Sequence, residues 1–334
     1  MRLLPVFVLL AVTIATVANA EPRDWQAEGW MTDFSKTEID LTEIMSGGPS
    51  RDEIPPIDNP KFVAVKQSHL LGREPVISVA VGTDVRAYPL SVLIWHEIVN
   101  DTIGGVPVAV TYCPLCDSAI VFDRTIDERV LRFGTTGKLR YSDLVMWDDA
   151  TESWWQQFLG RAIVGDYLGK ELKVLPSRVE SFARFKSKNP NGRVLVPRNE
   201  NRRAYGSNPY VGYDQAGWPF LYRGEVPEGV FPLARVVRVG NAAWALDLLR
   251  SRKSIDIGEG IIIAWTFGQA SALSNHTIAD GEEVGNVTVT QSGKDVIYDV
   301  PFLFAFHAFF PEAPIYVNCE TGSHKPKPPV VCFK

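Results

Sequence analysis

The side chains best able to do chemistry are two cysteines, Cys113 and Cys116, in the segment TYCPLCDSAI. Thiols at Cys-x-x-Cys spacing can form a structural disulfide, act as a redox dithiol in which the pKa of the first thiol is lowered, or provide two thiolate ligands to a soft metal ion. The sequence leaves all three uses open. Asp117 and Ser118 lead into an apolar strand, which argues against a thioredoxin-like site, where the motif begins a helix.

A histidine and a methionine are candidate partners of the two thiols. An imidazole near a thiolate can ligate the same metal or hold the thiolate as an ion pair, so His96 is a candidate base and third metal ligand. A packed, hydrogen-bonded histidine is the alternative. Met146 is a candidate thioether ligand to copper, with core packing as the alternative. Copper is the first choice of metal and zinc the second. The residues expected to support the site are Glu97, Asn100, Asp101, Ser118 and Trp154.

Short strands are expected to position the cysteines. The composition of Val106–Tyr112 predicts a buried strand, and Ala119–Asp123 is expected to be the strand that returns, which leaves the cysteines at the junction of strand and loop. The polar segment 21–60 is expected to be an N-terminal arm. Residues 61–198 are predicted to form a first β-rich half that carries the Cys-x-x-Cys site, 199–224 a linker loop, and 225–334 a shorter second half.

Three short helices are expected among the strands. Pro89 stands at a first-turn position, and apolar residues spaced near 3.6 predict a helix that continues to Ile98. Asp149 with Glu152 three residues later has the form of a helix cap and predicts a helix that carries Trp154. A third helix is expected over 181–188, before Asn189 and Pro190. The fold class is therefore predicted as α+β, mostly β, with short helices.

The second half shows a weak similarity to the first. The segment IIIAWTFGQASAL (261–273) aligns with VAVTYCPLCDSAI (108–120), and Ala243-Trp244-Ala245-Leu246 aligns with Ala87-Tyr88-Pro89-Leu90. In this alignment Thr266 replaces Cys113 and Gln269 replaces Cys116. We therefore predict two related halves, a degenerate internal duplication in which the second copy lost the thiols. Chance similarity between apolar strands is the alternative.

The N-terminal residues indicate export. Arg2, the apolar run Leu3–Val17 and the small-x-small tripeptide Ala18-Asn19-Ala20 have the pattern of a signal peptide over 1–20. The run is shorter than the roughly 20 residues that span a bilayer, and no later stretch is long and apolar enough to do so. We expect a periplasmic or secreted chain. A disulfide between Cys319 and Cys332 fits an oxidising compartment and would close the Pro- and Lys-rich loop between them.

Charge limits the classes of partner. The formal net charge is -5, and no basic block interrupts the sequence, which excludes nucleic acid as the expected partner. A small molecule or a metal ion is the expected ligand.

Long stretches of the sequence resemble a known family. AYPLSVLIWHEIVNDTIGGVPVAVTYCPLCDSAIVFDR, FGTTGKLRYSDLVMWDDATESWWQQFLGRAIVG and YGSNPYVGYD resemble the exported family called domain of unknown function 3179, most closely over 58–213. The resemblance implies that the following residues lie in signature stretches: His96, Glu97, Asn100, Asp101, Cys113, Cys116, Ser118, Met146, Asp148, Ser153, Trp154 and Gln157. The second half departs from the family pattern, because it is short and carries the pair Cys319 and Cys332.

Two functions are compatible with these observations. The first is a soft-metal or thiol-redox site made of Cys113, Cys116 and His96, in which the ion is stored, handled or used on a small substrate. The second is a non-catalytic binding module in which the Cys-x-x-Cys is a structural disulfide and an aromatic surface holds the ligand. Whether the protein is an enzyme is left open.

Overall fold

Strands and short helices alternate along the chain, as the sequence predicts. The computed structural model describes residues 22–319 and 326–333, so the predicted signal peptide over 1–20 lies outside the described residues. The helices are α1 (Pro22–Ala27), α2 (Leu90–Leu93), α3 (Phe182–Lys188), α4 (Leu246–Arg252) and α5 (Leu303–Phe309). No helix in this described part is long and apolar enough to cross a membrane.

The strands of the first part of the chain are β1 (Ile44–Ser46), β2 (Ile57–Asp58), β3 (Lys61–Ala64), β4 (Pro75–Val81), β5 (Asp84–Pro89), β6 (Ile98–Ile103), β7 (Val106–Cys113), β8 (Ser118–Asp123), β9 (Thr125–Ile126), β10 (Arg129–Val130), β11 (Phe133–Arg140), β12 (Asp143–Asp148), β13 (Trp154–Gln156), β14 (Arg161–Val164), β15 (Lys173–Leu175), β16 (Ser177–Ser181) and β17 (Arg193–Val196). The later strands are β18 (Val236–Val239), β19 (Ala242–Ala245), β20 (Ser254–Asp256), β21 (Ile261–Thr266), β22 (Asn286–Gln291), β23 (Lys294–Asp295), β24 (Ile315–Val317) and β25 (Val330–Cys332). The mostly β composition is thus confirmed.

The strands form several sheets. Three five-stranded sheets have the orders β1-β11-β12-β13-β14, β15-β8-β7-β6-β2 and β16-β4-β5-β17-β3. The later strands form two four-stranded sheets, β18-β19-β24-β25 and β20-β21-β22-β23. Strands β6, β7 and β8 make consecutive antiparallel hairpins. Most residues of β7 and β8 are buried, which marks the centre of the main core, because strands covered on both faces lose the alternation of buried and exposed residues that half-exposed strands have.

The two halves follow a similar order of elements. The hairpin β4–β5 leads into α2, and the hairpin β18–β19 leads into α4. Strand β5 pairs in parallel with β17, which follows α3, and β19 pairs in parallel with β24, which follows α5. This order is compatible with the internal duplication, which stays a prediction.

One of the expected helices is shorter than predicted, and another is absent from the described chain. The helix expected to reach Ile98 is a single turn over Leu90–Leu93, and Ile98 begins β6. The helix expected from Asp149 was wrong: Asp148 accepts backbone hydrogen bonds from Ala150 and Thr151, and the chain turns back into β13. The sequence pattern of an aspartate that caps a hairpin turn is the same as that of one that caps a helix, so the pattern alone does not distinguish the two. The third helix is confirmed as α3, with Ser181 accepting from the backbone N–H of Arg184 at 3.4 Å.

The N-terminal arm folds onto the first half. Trp25 and Trp30 lie in a buried cluster with Trp154, whose ring centroid is 4.9 Å from that of Trp25 and 5.1 Å from that of Trp30. Trp154, expected to support the cysteine site, therefore packs against this arm. The predicted disulfide between Cys319 and Cys332 is present.

Candidate metal centre

The Cys-x-x-Cys motif forms the tip of a β-hairpin. Cys113 ends β7 and is paired with Ser118, the first residue of β8. The turn is closed by the N–H of Cys116, which donates to the carbonyl of Cys113 at 3.3 Å, and by the N–H of Asp117, which donates to Pro114 at 3.3 Å. Both cysteines are free thiols and are buried, at 2% and 0% exposure. The hairpin thus holds two thiols side by side inside the protein.

A carboxyl group joins the two thiols. The thiol of Cys113 donates to the carbonyl of Ser142 at 3.8 Å, which brings the start of β12 to the hairpin. Donor atoms of Cys113, Cys116 and Asp143 all lie within 4.8 Å of one another. The Oδ2 atom of Asp143 accepts from Gln156 Nε2 at 2.6 Å and from the N–H of Phe158 at 2.9 Å. Its Oδ1 atom is buried without a hydrogen-bond partner in the described chain, so this oxygen has lone pairs available.

The acidic side chains at the hairpin tip are buried away from water, which changes their pKa values. Burial raises the pKa of both thiols and raises the pKa of Asp143 to about 7. Burial and the nearby Asp143 raise the pKa of Glu97 to about 8. Across residues 22–319 and 326–333, no ion pair reaches any of these four groups. Without a compensating cation the site favours neutral acids, because burial penalises the charged forms.

Glu97 lies between this group and a cavity. Its backbone has a left-handed φ of 59°, and its side chain is 8% exposed. In the described chain the carboxyl group has no hydrogen bond or ion pair. Glu97 lines a cavity of about 540 Å³. Most other lining residues are apolar or aromatic, among them Leu115, Leu139, Leu144, Tyr210, Tyr213 and Phe220. Glu97 is therefore a buried acid in the wall of a mostly apolar cavity, without a bonding partner in the described chain.

His96 is held by two other partners. Its Nδ1 atom is 2.7 Å from the carbonyl oxygen of Pro55, and its Nε2 atom is 2.7 Å from the hydroxyl of Tyr205. A carbonyl only accepts, so Nδ1 carries the proton and Nε2 accepts from the tyrosine. Burial lowers the pKa of His96, which fits this neutral ring. His96 lies outside the group of donors formed by the two cysteines and Asp143. To ligate a metal ion it would have to break one of these bonds.

Family membership follows from the extent of the match to a family model. Residues 51–313 match the model described as Protein of unknown function (DUF3179). The chain belongs to the DUF3179 family. This confirms the resemblance, and the match includes the cysteine hairpin, Asp143 and Glu97. No curated protein and no solved structure matches this DUF3179 chain.

The remaining predicted residues of this DUF3179 protein connect strands. Asn100 donates to Asp58 at 3.0 Å and exchanges hydrogen bonds with the backbone of Phe133. Asp101 accepts from Arg86 and Tyr88. Met146 is fully buried in the main core and is paired in register with Thr135 and Trp155. These placements make the three residues parts of the scaffold around the hairpin.

The second half clamps the hairpin at three consecutive residues. The carbonyl of Cys116 accepts from the N–H of Phe302 at 2.8 Å. Asp117 accepts from Arg235 Nε at 2.6 Å, and Ser118 donates to Asp299 Oδ2 at 2.6 Å. The position of Cys116 therefore depends on contacts made more than a hundred residues later in the chain.

Sequence reasoning missed Asp143, Tyr210 and Tyr213 as members of the site. Asp143 had one available signal, since a carboxylate at the head of an otherwise apolar strand is rarely buried without a partner or a function. The two tyrosines lie in the predicted linker 199–224, whose composition indicates a loop without indicating what it covers.

Proposed function

We propose that this protein binds one metal ion through Cys113, Cys116 and Asp143, with zinc as the first choice. The observation that carries the proposal is the convergence of three buried donor side chains within 4.8 Å. The carboxyl group among them, that of Asp143, also has one oxygen without a hydrogen-bond partner in the described chain. Three protein ligands leave one coordination position of a tetrahedral ion open, which is the arrangement of catalytic zinc sites.

The spacing of the donors suits a tetrahedral ion. Zinc–sulfur bonds of about 2.3 Å place two thiolates of a tetrahedral site roughly 3.8 Å apart. The donor atoms lie within 4.8 Å of one another, so small side-chain rotations bring the sulfurs to this distance. A carboxylate oxygen belongs to the ordinary ligand set of zinc, whereas copper(I) prefers soft sulfur ligands. The presence of Asp143 therefore reverses the order of metals expected from the cysteines alone.

Charge supports the same conclusion. Two thiols and the carboxyl of Asp143 are buried, with Glu97 close enough to be a cause of the raised pKa of Cys113. A divalent cation would stabilise the deprotonated ligands, and binding would release their protons. Ligation of a cation would also protect the two adjacent thiols from oxidation in the oxidising compartment that the N-terminal sequence predicts.

The thiol-redox alternative has less support. A reactive dithiol needs an exposed thiol with a lowered pKa. Here both thiols are buried, burial raises the pKa of each, and a strand follows the motif in place of a helix.

Metal content and thiol state of the purified protein test the proposal. Mature protein, exported and purified without chelator, is analysed for zinc and copper by mass spectrometry and for free thiols under denaturing conditions. We expect one zinc ion per chain, lost in Cys113→Ser/Cys116→Ser and strongly reduced in Asp143→Asn. The matched control is Cys319→Ser/Cys332→Ser, which removes the other cysteine pair and should retain the ion. A metal-free protein with Cys113 and Cys116 joined as a disulfide would overturn the proposal.

A further inference from the structure

The cavity beside the candidate metal centre has the size of a small-molecule site. Its volume is about 540 Å³, within the range of about 300–1,000 Å³ that ligand pockets usually have. Its walls combine Leu115, Leu139 and Leu144 from the first half with Tyr213 and Phe220 from the 199–224 segment. Such walls favour a ligand with an apolar body.

One acidic side chain of the cavity has no bonding partner in the described chain. Besides the phenols of Tyr210 and Tyr213, the described lining of the cavity holds one carboxyl group, that of Glu97, and one amino group, that of Lys138. Lys138 donates to both carboxylate oxygens of Glu28 at 2.8 Å, so its charge is already balanced. Glu97 is 8% exposed, and its carboxyl group has no hydrogen bond or ion pair in the described part of the chain. A buried carboxylate without a partner is costly, and a ligand cation would relieve this cost.

The mouth of the cavity is apolar. Val211 and Phe220 line the cavity and are 55% and 49% exposed, and Trp218 lies between them in sequence at 51% exposure. Exposed apolar side chains gathered on one segment are characteristic of binding surfaces. Aromatic rings at such a site also stabilise ammonium groups through their faces.

We infer that this cavity binds an organic amine, with its ammonium group on the carboxylate of Glu97 and its apolar body between the leucines and tyrosines. The inference rests on the proposed metal function in one respect. When Cys113, Cys116 and Asp143 ligate the ion, Glu97 remains the free acid of the cavity.

Binding of three matched probes to the zinc-loaded protein tests this inference. Benzylamine, benzyl alcohol and benzoate have nearly the same body and carry a positive, no and a negative charge. Titration calorimetry should show binding of benzylamine and much weaker binding of the other two. Glu97→Gln should weaken benzylamine binding by at least about tenfold, the effect of losing one charged hydrogen bond. The matched control is Glu259→Gln, which removes an exposed acid outside the cavity lining and should leave the affinity unchanged.

A second variant keeps the test decisive if Glu97→Gln does not fold. Val211→Trp adds bulk at the exposed mouth and should block benzylamine. Zinc content, measured on every sample, separates the two proposals. If zinc-bound protein does not bind benzylamine, or binds benzoate or benzyl alcohol more tightly, the amine inference alone is overturned. Metal-free protein that binds benzylamine through Glu97 overturns the metal function and leaves the amine site standing.

Discussion

Replacing Arg235 with methionine is the sharpest test of how the second half holds the hairpin. Arg235 Nε donates to Asp117 at 2.6 Å, and its two terminal nitrogens lie 3.3 Å from Asp214 Oδ2. It also donates to Ser271 at 2.9 Å. The side chains of Arg235 and Asp117 are each 11% exposed, and that of Asp214 is 4% exposed. Methionine would fill similar volume and leave both carboxylates buried without their cation.

The expected loss of stability is large. Removing one partner of a buried ion pair costs about 3–5 kcal/mol, because the remaining charge is left uncompensated. Arg161→Met is the matched control. Arg161 also pairs with two carboxylates, Glu38 and Glu171, but its side chain is 35% exposed. Exposed pairs contribute about 0–1 kcal/mol, so the control should change the free energy of unfolding little.

Urea unfolding followed by fluorescence measures both variants. We expect Arg235→Met to lower the free energy of unfolding by several times the loss in Arg161→Met. Adding Asp214→Asn to Arg235→Met should recover part of the loss, since one uncompensated charge disappears. Equal losses in Arg235→Met and Arg161→Met would refute the reasoning, because burial would then make no difference to the pair.

Three further predictions follow from other parts of the structure. Gly137→Ala should lower the free energy of unfolding by more than the roughly 1–2 kcal/mol of left-handed strain, since its Cβ would lie 1.9 Å from the carbonyl oxygen of Pro49. Gly293→Ala has a similar φ, 76° against 71°, and open space around the added Cβ, so it should show the strain alone in the same urea assay. Burial lowers the pKa of His96 below its ordinary value of 6.5. As the pH drops, the unfolded chain therefore binds a proton at this histidine before the folded chain does. The free energy of unfolding should fall as the pH drops from 6.5 through the pKa of the folded state. Urea midpoints at about pH 7.5 and pH 5.5 should differ less in His96→Gln than in wild type, and an equal difference would contradict this assignment. Removal of the proposed zinc ion by a chelator should lower the melting temperature of wild type and should not affect Cys113→Ser/Cys116→Ser. The loss is equivalent to about 4 kcal/mol when zinc is supplied at a thousand times its dissociation constant.

The cysteine hairpin could be predicted from sequence because its signals are local. Apolar, β-branched residues run up to Tyr112 and resume at Ala119, so the cysteines had to lie at the turn between two strands, where the structure has them. The bond between Cys319 and Cys332 was predictable for a similar reason, since a short separation brings two cysteines together. Short-range patterns determine such features before the rest of the chain is considered.

The third member of the site could not be predicted in this way. Asp143 is the first residue of β12, and β12 belongs to a different sheet from the hairpin. Asp143 reaches the thiols only because this end of β12 meets the hairpin tip. The same limit explains the wrong helix near Asp149. The capping signal is real, but the chain takes the turn that lets Trp154 join the cluster of Trp25 and Trp30. Burial of these large side chains outweighs a local preference of about 1 kcal/mol.

The second half gains a role when the hairpin and its contacts are considered together. Its own equivalent positions in the predicted duplication, Thr266 and Gln269, offer no thiol. Yet residues of the second half hold the hairpin through three hydrogen bonds. Arg235 bonds to Asp117, Asp299 bonds to Ser118, and the N–H of Phe302 bonds to the carbonyl of Cys116. A metal site requires ligands fixed to a fraction of an ångström by surrounding hydrogen bonds. The second half is therefore expected to be necessary for the proposed metal site, because hydrogen bonds from it fix the hairpin from Cys116 to Ser118.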